Sequence, residues 1–311
     1  MPGELPARLR RKLEKEYALL KARVAVARGR RGAQRWIFGH VSDEVWLDLN
    51  TAGYRRHAIL RDVLPALPPE ADQKGFIGST GDRALREAFL AYRFWKERAR
   101  RHGRPIGIRS RLLDFGTGWG RFVRLFMRDV APENLLGVDV TERALALARA
   151  SNPWSRFERI APLPPSGLPA ETFDCVHLYS VFSHLSEEAH DRWLTEFARI
   201  LRPGGLLLAT TWPREYIERC ELARRGENND EHPGARVAFV STADWLARYD
   251  RGEFCHSPVG GGGELATSFY GESCLSEAYV RRRWTDRFEI CEYAPPDYDT
   301  RWQTFIVGRR L

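Results

Sequence analysis

Two rhythms of apolar positions divide the chain. From Leu9, the residues Leu9, Leu13, Tyr17, Leu20, Val24 and Ala27 recur at threes and fours, the spacing of a helix with one buried stripe, until Gly29 and Gly32 interrupt it. Ser42 to Leu64 reads as a second helix, with Ser42 placed to cap it, Asp43 and Glu44 in its first turn, Val45, Trp46 and Leu49 on its apolar side, and Pro65 after its end. Pro65 to Gly81 is rich in Pro and Gly and is expected to be an irregular connection. Beyond it, Leu85, Phe89, Tyr92 and Trp95 line one face of a helix over Asp82 to Arg101, and Gly103 to Gly107 ends the helical region.

From Arg111 the rhythm changes to short apolar runs alternating with helical ones, as in a parallel sheet covered by helices on both faces. Strands are expected at 111–115, 135–139, 156–160, 173–179 and 205–211, with helices near 119–129, 141–150 and 186–201 between them. Phe288 to Tyr293 and Trp302 to Gly308 read as an antiparallel pair closing the sheet. Trp212 to Trp284 shows no sheet rhythm and contains the run Gly260 to Gly263, so a lid or substrate-binding insertion is expected there. The predicted organisation is a helical region over 1–104 and an α/β domain over 105–311, with 213–284 as the insertion.

Composition changes this picture in two places. The net charge of +8 sits at one end: residues 1–35 hold eleven Lys/Arg against three acids (Glu4, Glu14, Glu16), and the rest of the chain has 38 of each sign. The first helix is therefore basic as well as amphipathic, and Arg8, Arg10, Arg11 and Lys12 would attract an anionic lipid surface, a nucleic acid or an acidic partner, unless the helix only packs on its own domain. The five cysteines form no CxxC pair and no spaced Cys/His set, so they are read as reduced packing residues without a zinc site. No apolar run is long enough to span a bilayer, and the charged first residues lack the apolar stretch of a secretory signal, which makes a cytoplasmic location the expectation.

The run LLDFGTGWGRF, Leu112 to Phe122, is an apolar strand that ends in a glycine loop and opens a helix. Glycine at 116, 118 and 120 lets the backbone turn sharply and approach a ligand closely, and the amides of the following helix favour a negative group. The next strand, LLGVDV, ends in Asp139, where a carboxylate can accept both hydroxyls of a ribose. Together these features point to a nucleoside site. Dinucleotide sites usually carry GxGxxG, whereas Gly116, Gly118 and Gly120 give GxGxG, and Asp114 would repel a pyrophosphate but attract a methionine ammonium.

At this level the chain resembles a known family. DFGTGWGR, GVDVTERALALA and FDCVHLYSVFSHLSEEAHDRWLTEFARILRPGGLLLATT resemble the successive motifs of class I S-adenosylmethionine-dependent methyltransferases over residues 111 to 211. The resemblance implies a Rossmann-like, doubly wound, mostly parallel seven-stranded sheet with an antiparallel C-terminal hairpin. It implies S-adenosylmethionine as cofactor, with Asp114 near the methionine amine, Gly116, Thr117, Gly118 and Gly120 along the methionine chain, Asp139 and Val140 at the ribose, and Tyr179 and Ser180, with Val181, beside the sulfonium. The stretch from Ser180 to Gly205 and the upstream FIGSTGD are similar to bacterial methyltransferases that accompany glycan or secondary-metabolite biosynthesis. One departure stands out: where many members have an acid after the third strand for the adenine amine, this chain reads IAPLPPSGLP.

The reading that follows is metal-independent methyl transfer to an oxygen of a small-molecule or glycan acceptor; base methylation is not expected, because the fourth strand ends in LYSVF without the acid-Pro-Pro-aromatic run of exocyclic-amine nucleic-acid methyltransferases. His184, just past that strand, is the candidate base. His177, within the strand, is read as packing, and His256, Glu264 and Tyr270 in the insertion are polar groups able to meet an acceptor. The alternatives are an RNA- or DNA-directed methyltransferase docking through the basic helix, a scaffold of the same fold without turnover and, more distantly, an NAD-dependent oxidoreductase. The sequence does not reveal the oligomeric state.

Overall fold

The computed structural model describes residues 7–27, 33–228, 233–260, 262, 265–297 and 301–311; Gly29, Gly32, Gly261, Gly263 and Glu264 lie outside them, as do the side chains of Arg8, Arg10 and Lys12. Strands β1 (Leu112–Phe115), β2 (Leu135–Asp139), β3 (Arg156–Arg159), β4 (Phe173–Leu178) and β5 (Leu201–Thr211) are parallel; β8 (Phe288–Ala294) and β9 (Thr304–Arg310) form the antiparallel hairpin. Their order is β3-β2-β1-β4-β5-β9-β8, a Rossmann-like seven-stranded sheet. All four residues of β1 are buried, as the unbroken apolar run of a strand covered on both faces requires. The chain steps outward from β1 to β2 and β3, then returns to β4 on β1's other side. The crevice at the carboxyl ends of β1 and β4 is the switch point where open α/β sheets bind ligands.

Helices α7 (Arg121–Phe126) and α8 (Glu142–Ser151) cover one face of the sheet, and α9 (Glu187–Ile200) the other. The N-terminal helices join the first face: α1 (Ala7–Ala27), α2 (Gln34–Phe38), α3 (Asp43–Asn50), α4 (Ala52–Arg56), α5 (Glu70–Ile77) and α6 (Gly81–Arg101). Trp95 of α6 stacks within 4.5 Å of Phe305 of β9, so one apolar core runs from the helices into the sheet.

Three expectations needed correction. The helix predicted over Ser42 to Leu64 is broken: Ser42 does cap α3 by accepting from the Val45 amide, but Thr51 leaves helical geometry and the 3-10 turn Ala58–Asp62 follows α4. Just past the break, α4 packs closely on α1 and α3: a side chain at Gly53 would meet the Tyr17 hydroxyl at 2.7 Å and the Asp48 carbonyl at 2.8 Å. The connection Pro65 to Gly81 contains α5, which starts after Pro69 with Glu70 and Asp72 in its first turn and ends at Gly78 in the left-handed conformation. Between Trp212 and Trp284 lie α10 (Arg214–Arg225), α11 (Thr242–Asp250), α12 (Glu277–Arg283) and a two-stranded antiparallel sheet, β6 (Cys255–Ser257) with β7 (Glu272–Cys274). This insertion buries its own cluster around Tyr216, Ile217, Phe239 and Cys255. All five cysteines are unbridged, four of them buried, and no group of metal-ligating side chains forms among the described residues.

Candidate functional site

The loop between β1 and α7 takes its shape from glycines in the left-handed region: φ is +69° at Gly116, +55° at Gly118 and +84° at Gly120. They differ in what a side chain would meet. A Cβ at Gly116 would stand 2.6 Å from Val181, and one at Gly120 would stand 3.2 Å from Phe157, so the protein's own packing excludes them. A Cβ at Gly118 would meet nothing within 4 Å, which leaves open space over the middle of the loop.

Two bonds tie this loop to β2. The Thr117 amide donates to the Val138 carbonyl at 2.9 Å, and the Gly118 amide donates to Asp139 Oδ2 at 2.9 Å. Asp139 Oδ1 also accepts from the Thr141 amide, which holds the start of α8. Burial pushes the Asp139 carboxyl up, while the amides of Thr141 and Gly118 pull it back toward the ionised form. Beyond it, the Val140 carbonyl accepts from Arg159.

Asp114 lies beneath the loop, 2 % exposed. Its Oδ2 accepts from the Thr117 hydroxyl at 2.7 Å, and its Oδ1 is 2.7 Å from His177 Nδ1. A carboxylate oxygen only accepts there, so Nδ1 carries the proton. His177 is ringed by Trp95, Phe122 and Phe126. The histidine read as packing is therefore also the partner of the loop's acid.

At the end of β4, the Tyr179 hydroxyl donates to Glu87 of α6 at 3.0 Å, and Arg121 sits 3.7 Å from Glu87 with its guanidinium over the Tyr179 ring. Ser180 turns into the left-handed region, with its amide on Thr210 Oγ1 and its hydroxyl accepting from Gln303, the residue before β9. Glu87, Arg121 and Gln303 were missed in the sequence. The only signal for Glu87 was its place on α6, two turns before Trp95, and nothing local marked Gln303.

The insertion docks on the loop after β4 by backbone pairing. Ser273 and Gly271 amides donate to the carbonyls of Ser183 and His184, and the Ser186 amide donates to the Phe269 carbonyl. This brings together His184, His256, Tyr270 and Glu272. His184 stacks on Tyr270, with ring centroids 5.0 Å apart, and its Nδ1 lies 2.9 Å from the Gly271 carbonyl oxygen. That oxygen is an acceptor, so Nδ1 holds the proton and Nε2 the lone pair. His256 is fixed the same way: the Ser273 hydroxyl donates to the Leu185 carbonyl at 2.7 Å and so accepts from His256 Nδ1 at 2.8 Å. His256 Nε2 is buried with no hydrogen-bond partner among the described residues.

Burial pushes both imidazoles down to about 4, against a small upward pull on His184 from the Gly271 carbonyl and a further downward push on His256 from His184. Both are neutral at pH 7. Glu272 is held by Trp212 Nε1 at 2.6 Å. Burial raises the Tyr270 hydroxyl pKa, and the charges of Glu272 and Asp139 raise it further. Glu264 lies outside the described residues.

The segment after β3 carries no acid and is committed to α9: Trp193 Nε1 donates to the Pro162 carbonyl, and the Ser166 amide and hydroxyl donate to Glu196. Burial and the Arg199 guanidinium act on Glu196 in opposite directions, and the arginine prevails, holding that carboxyl at about 2.

Residues 113–209 match the family model described as a methyltransferase domain. That stretch carries a methyltransferase domain. That domain implies S-adenosylmethionine as cofactor. Among curated proteins, the chain is 26% identical over 126 residues to a malonyl-[acyl-carrier protein] O-methyltransferase of Methylococcus capsulatus, covering 40% of this chain and 46% of that one. It is 35% identical over 102 residues to a protein of Mycolicibacterium smegmatis named "Probable S-adenosylmethionine-dependent methyltransferase", covering 32% and 37%. The chain thus spans less than half the length of either relative. Among solved structures, an S-adenosylmethionine-dependent methyltransferase from Mesorhizobium loti aligns at 20% identity, covering 69% of this chain and 96% of that one with a TM-score of 0.46. The described residues contain no helix long and apolar enough to cross a membrane.

Proposed function

We propose that the chain transfers a methyl group from S-adenosylmethionine to an oxygen of a small-molecule or glycan acceptor. The observation that carries the donor half is the glycine loop at the switch point. Its central residue faces open space, and the amide of that residue is tied to a carboxylate on the next strand. In this reading Gly116, Thr117, Gly118 and Gly120 run along the methionine chain, Asp139 with Val140 takes the ribose, and Tyr179 and Ser180 stand beside the sulfonium. Asp114, 2 % exposed beneath the loop, acts on the methionine ammonium through its charge and through Thr117.

S-adenosylmethionine brings a methyl group already activated by the sulfonium, so the protein's share is chiefly in-line positioning. An acceptor hydroxyl still needs somewhere to leave its proton. His184 is our candidate for that base, with His256 beside it, since each is held as the tautomer whose Nε2 bears the lone pair. A base whose ordinary pKa of 6.5 is lowered to about 4 is neutral throughout the physiological range. Oxygen as the target is also in keeping with the relative named for O-methylation. We assign residues 105–311 to the methyltransferase unit, residues 213–284 to acceptor binding and residues 1–104 to the helical region that completes one face. Titration calorimetry with S-adenosylmethionine and with S-adenosylhomocysteine tests the donor half; no heat with either overturns the reading. Mass spectrometry of hydroxylated acceptor candidates, one methylene heavier after incubation, tests the acceptor half, and products methylated only at nitrogen or carbon overturn oxygen as the target.

A further inference from the structure

Helix α1 carries two apolar faces, and the fold uses one. Leu20, Val24 and Ala27 are buried, the Tyr17 hydroxyl donates to Asp48 of α3, and Glu16 accepts from the Ser42 amide at 2.9 Å. On another side of the same helix, Leu19 is 46% exposed and Val26 63% exposed, with the exposed Ala22 between them. Steps of three and four residues put these positions on one ridge, and steps of four carry it back to the exposed Lys15 and Arg11. Arg23 lies one helical turn from Leu19 and from Val26. It reaches over to α2, where its guanidinium donates to the Trp36 carbonyl at 2.7 Å and stands 5.2 Å from the Trp36 ring, itself 49% exposed. Leu19, Val26 and Trp36 thus stand in solvent beside cations, in the part of the sequence that holds the chain's whole charge excess.

We propose that this ridge docks the chain on an anionic lipid surface, with Leu19, Val26 and Trp36 entering the headgroup boundary and Arg11, Lys15 and Arg23 meeting lipid phosphates. The charge chooses the occupant. A second copy meeting this face symmetrically would set the same cations against one another, and a nucleic acid backbone would engage the cations but give the three large apolar side chains no partner. An interfacial helix needs both kinds of group, with an aromatic ring at the boundary. This inference is independent of the acceptor and of the donor site.

The test is sedimentation of the full chain with sucrose-loaded vesicles, of phosphatidylcholine alone and of phosphatidylcholine mixed equally with phosphatidylglycerol. We expect partition only onto the mixed vesicles, weakening as salt is raised. The double variant Leu19→Ser/Val26→Ser keeps every charge, and should lose about tenfold in partition with its melting temperature and its affinity for S-adenosylhomocysteine unchanged. Equal partition onto both vesicle types, no partition onto either, or a double variant that binds like the parent each overturns the proposal. So does a parent that is dimeric by light scattering and becomes monomeric in the double variant, which would give the face to a second copy. A parent that binds duplex RNA while ignoring both vesicle types would give it to nucleic acid.

Discussion

Residues 114–139 and residues 184–273 both contribute to the carboxyl end of the sheet, but by different means. The first region is local: a strand, three left-handed glycines and a carboxylate at the end of the neighbouring strand, joined by amides that sit where the βαβ path puts them. The second is assembled across distance. His184 is held by a carbonyl 87 residues further on, and His256 by a hydroxyl on the opposing strand. Backbone geometry repeats wherever the motif does, so the donor half is constrained; side chains brought together by a docked insertion can differ without disturbing the sheet. Our proposed function accordingly puts methyl-donor recognition in the loop and acceptor choice in the insertion.

The sharpest way to break this division is to strike each half and ask whether the other notices. Asp139→Ala should lower donor affinity at least about a hundredfold, since two hydrogen bonds to a charged acceptor contribute about 1.5–3 kcal/mol each. Calorimetry reads this, with circular dichroism to check the fold, and unchanged affinity would remove Asp139 from the ribose. His184→Ala should cost about a hundredfold in turnover, the usual scale of general-base help, while donor affinity stays at the parent value. Parent-like turnover would rule the histidine out as a necessary base.

A third effect, on stability and not on binding or turnover, separates the halves by pH. The His184 pKa is about 4 when folded, against an ordinary 6.5, so between those values the unfolded chain binds a proton that the folded chain refuses. Stability should therefore fall on acidification from 6.5 to 4, by up to about 3 kcal/mol from His184, and these histidines should give no slope above that window. His256 adds less because it is partly solvated. Urea melts of the parent and of His184→Gln across this range check it, and identical slopes would sink the assignment. The smallest effect is expected for Tyr179→Phe, which removes the hydrogen bond to Glu87: about 1 kcal/mol of stability and less than about threefold in donor affinity. A loss as large as that of Asp139→Ala would move Tyr179 from the wall of the site to its centre.

The order and type of the sheet elements were readable because alternation of apolar runs and helical stripes reports burial directly, and the turn at Gly116, Gly118 and Gly120, with Asp114 and Asp139 against it, was readable because a sharp turn after a strand leaves a glycine pattern at fixed spacing. The helix break at Thr51 was not readable, since the apolar spacing runs through it unchanged. Nor was the structure inside 212–284, whose short elements bury a small cluster of their own rather than a long amphipathic face.

By itself, then, the sequence determined the α/β architecture, the glycine loop and the carboxylate beside it, all consequences of local backbone preference and hydrophobic period. Only the tertiary structure decided that Asp114 would be paired with His177, that Glu87 and Gln303 would reach the end of β4, and that His184 and His256 would be held as neutral tautomers by Gly271 and Ser273. Those outcomes depend on which groups lose water together. Burial, and the partner met there, sets a proton's position, and neither is written in the spacing of residues along the chain.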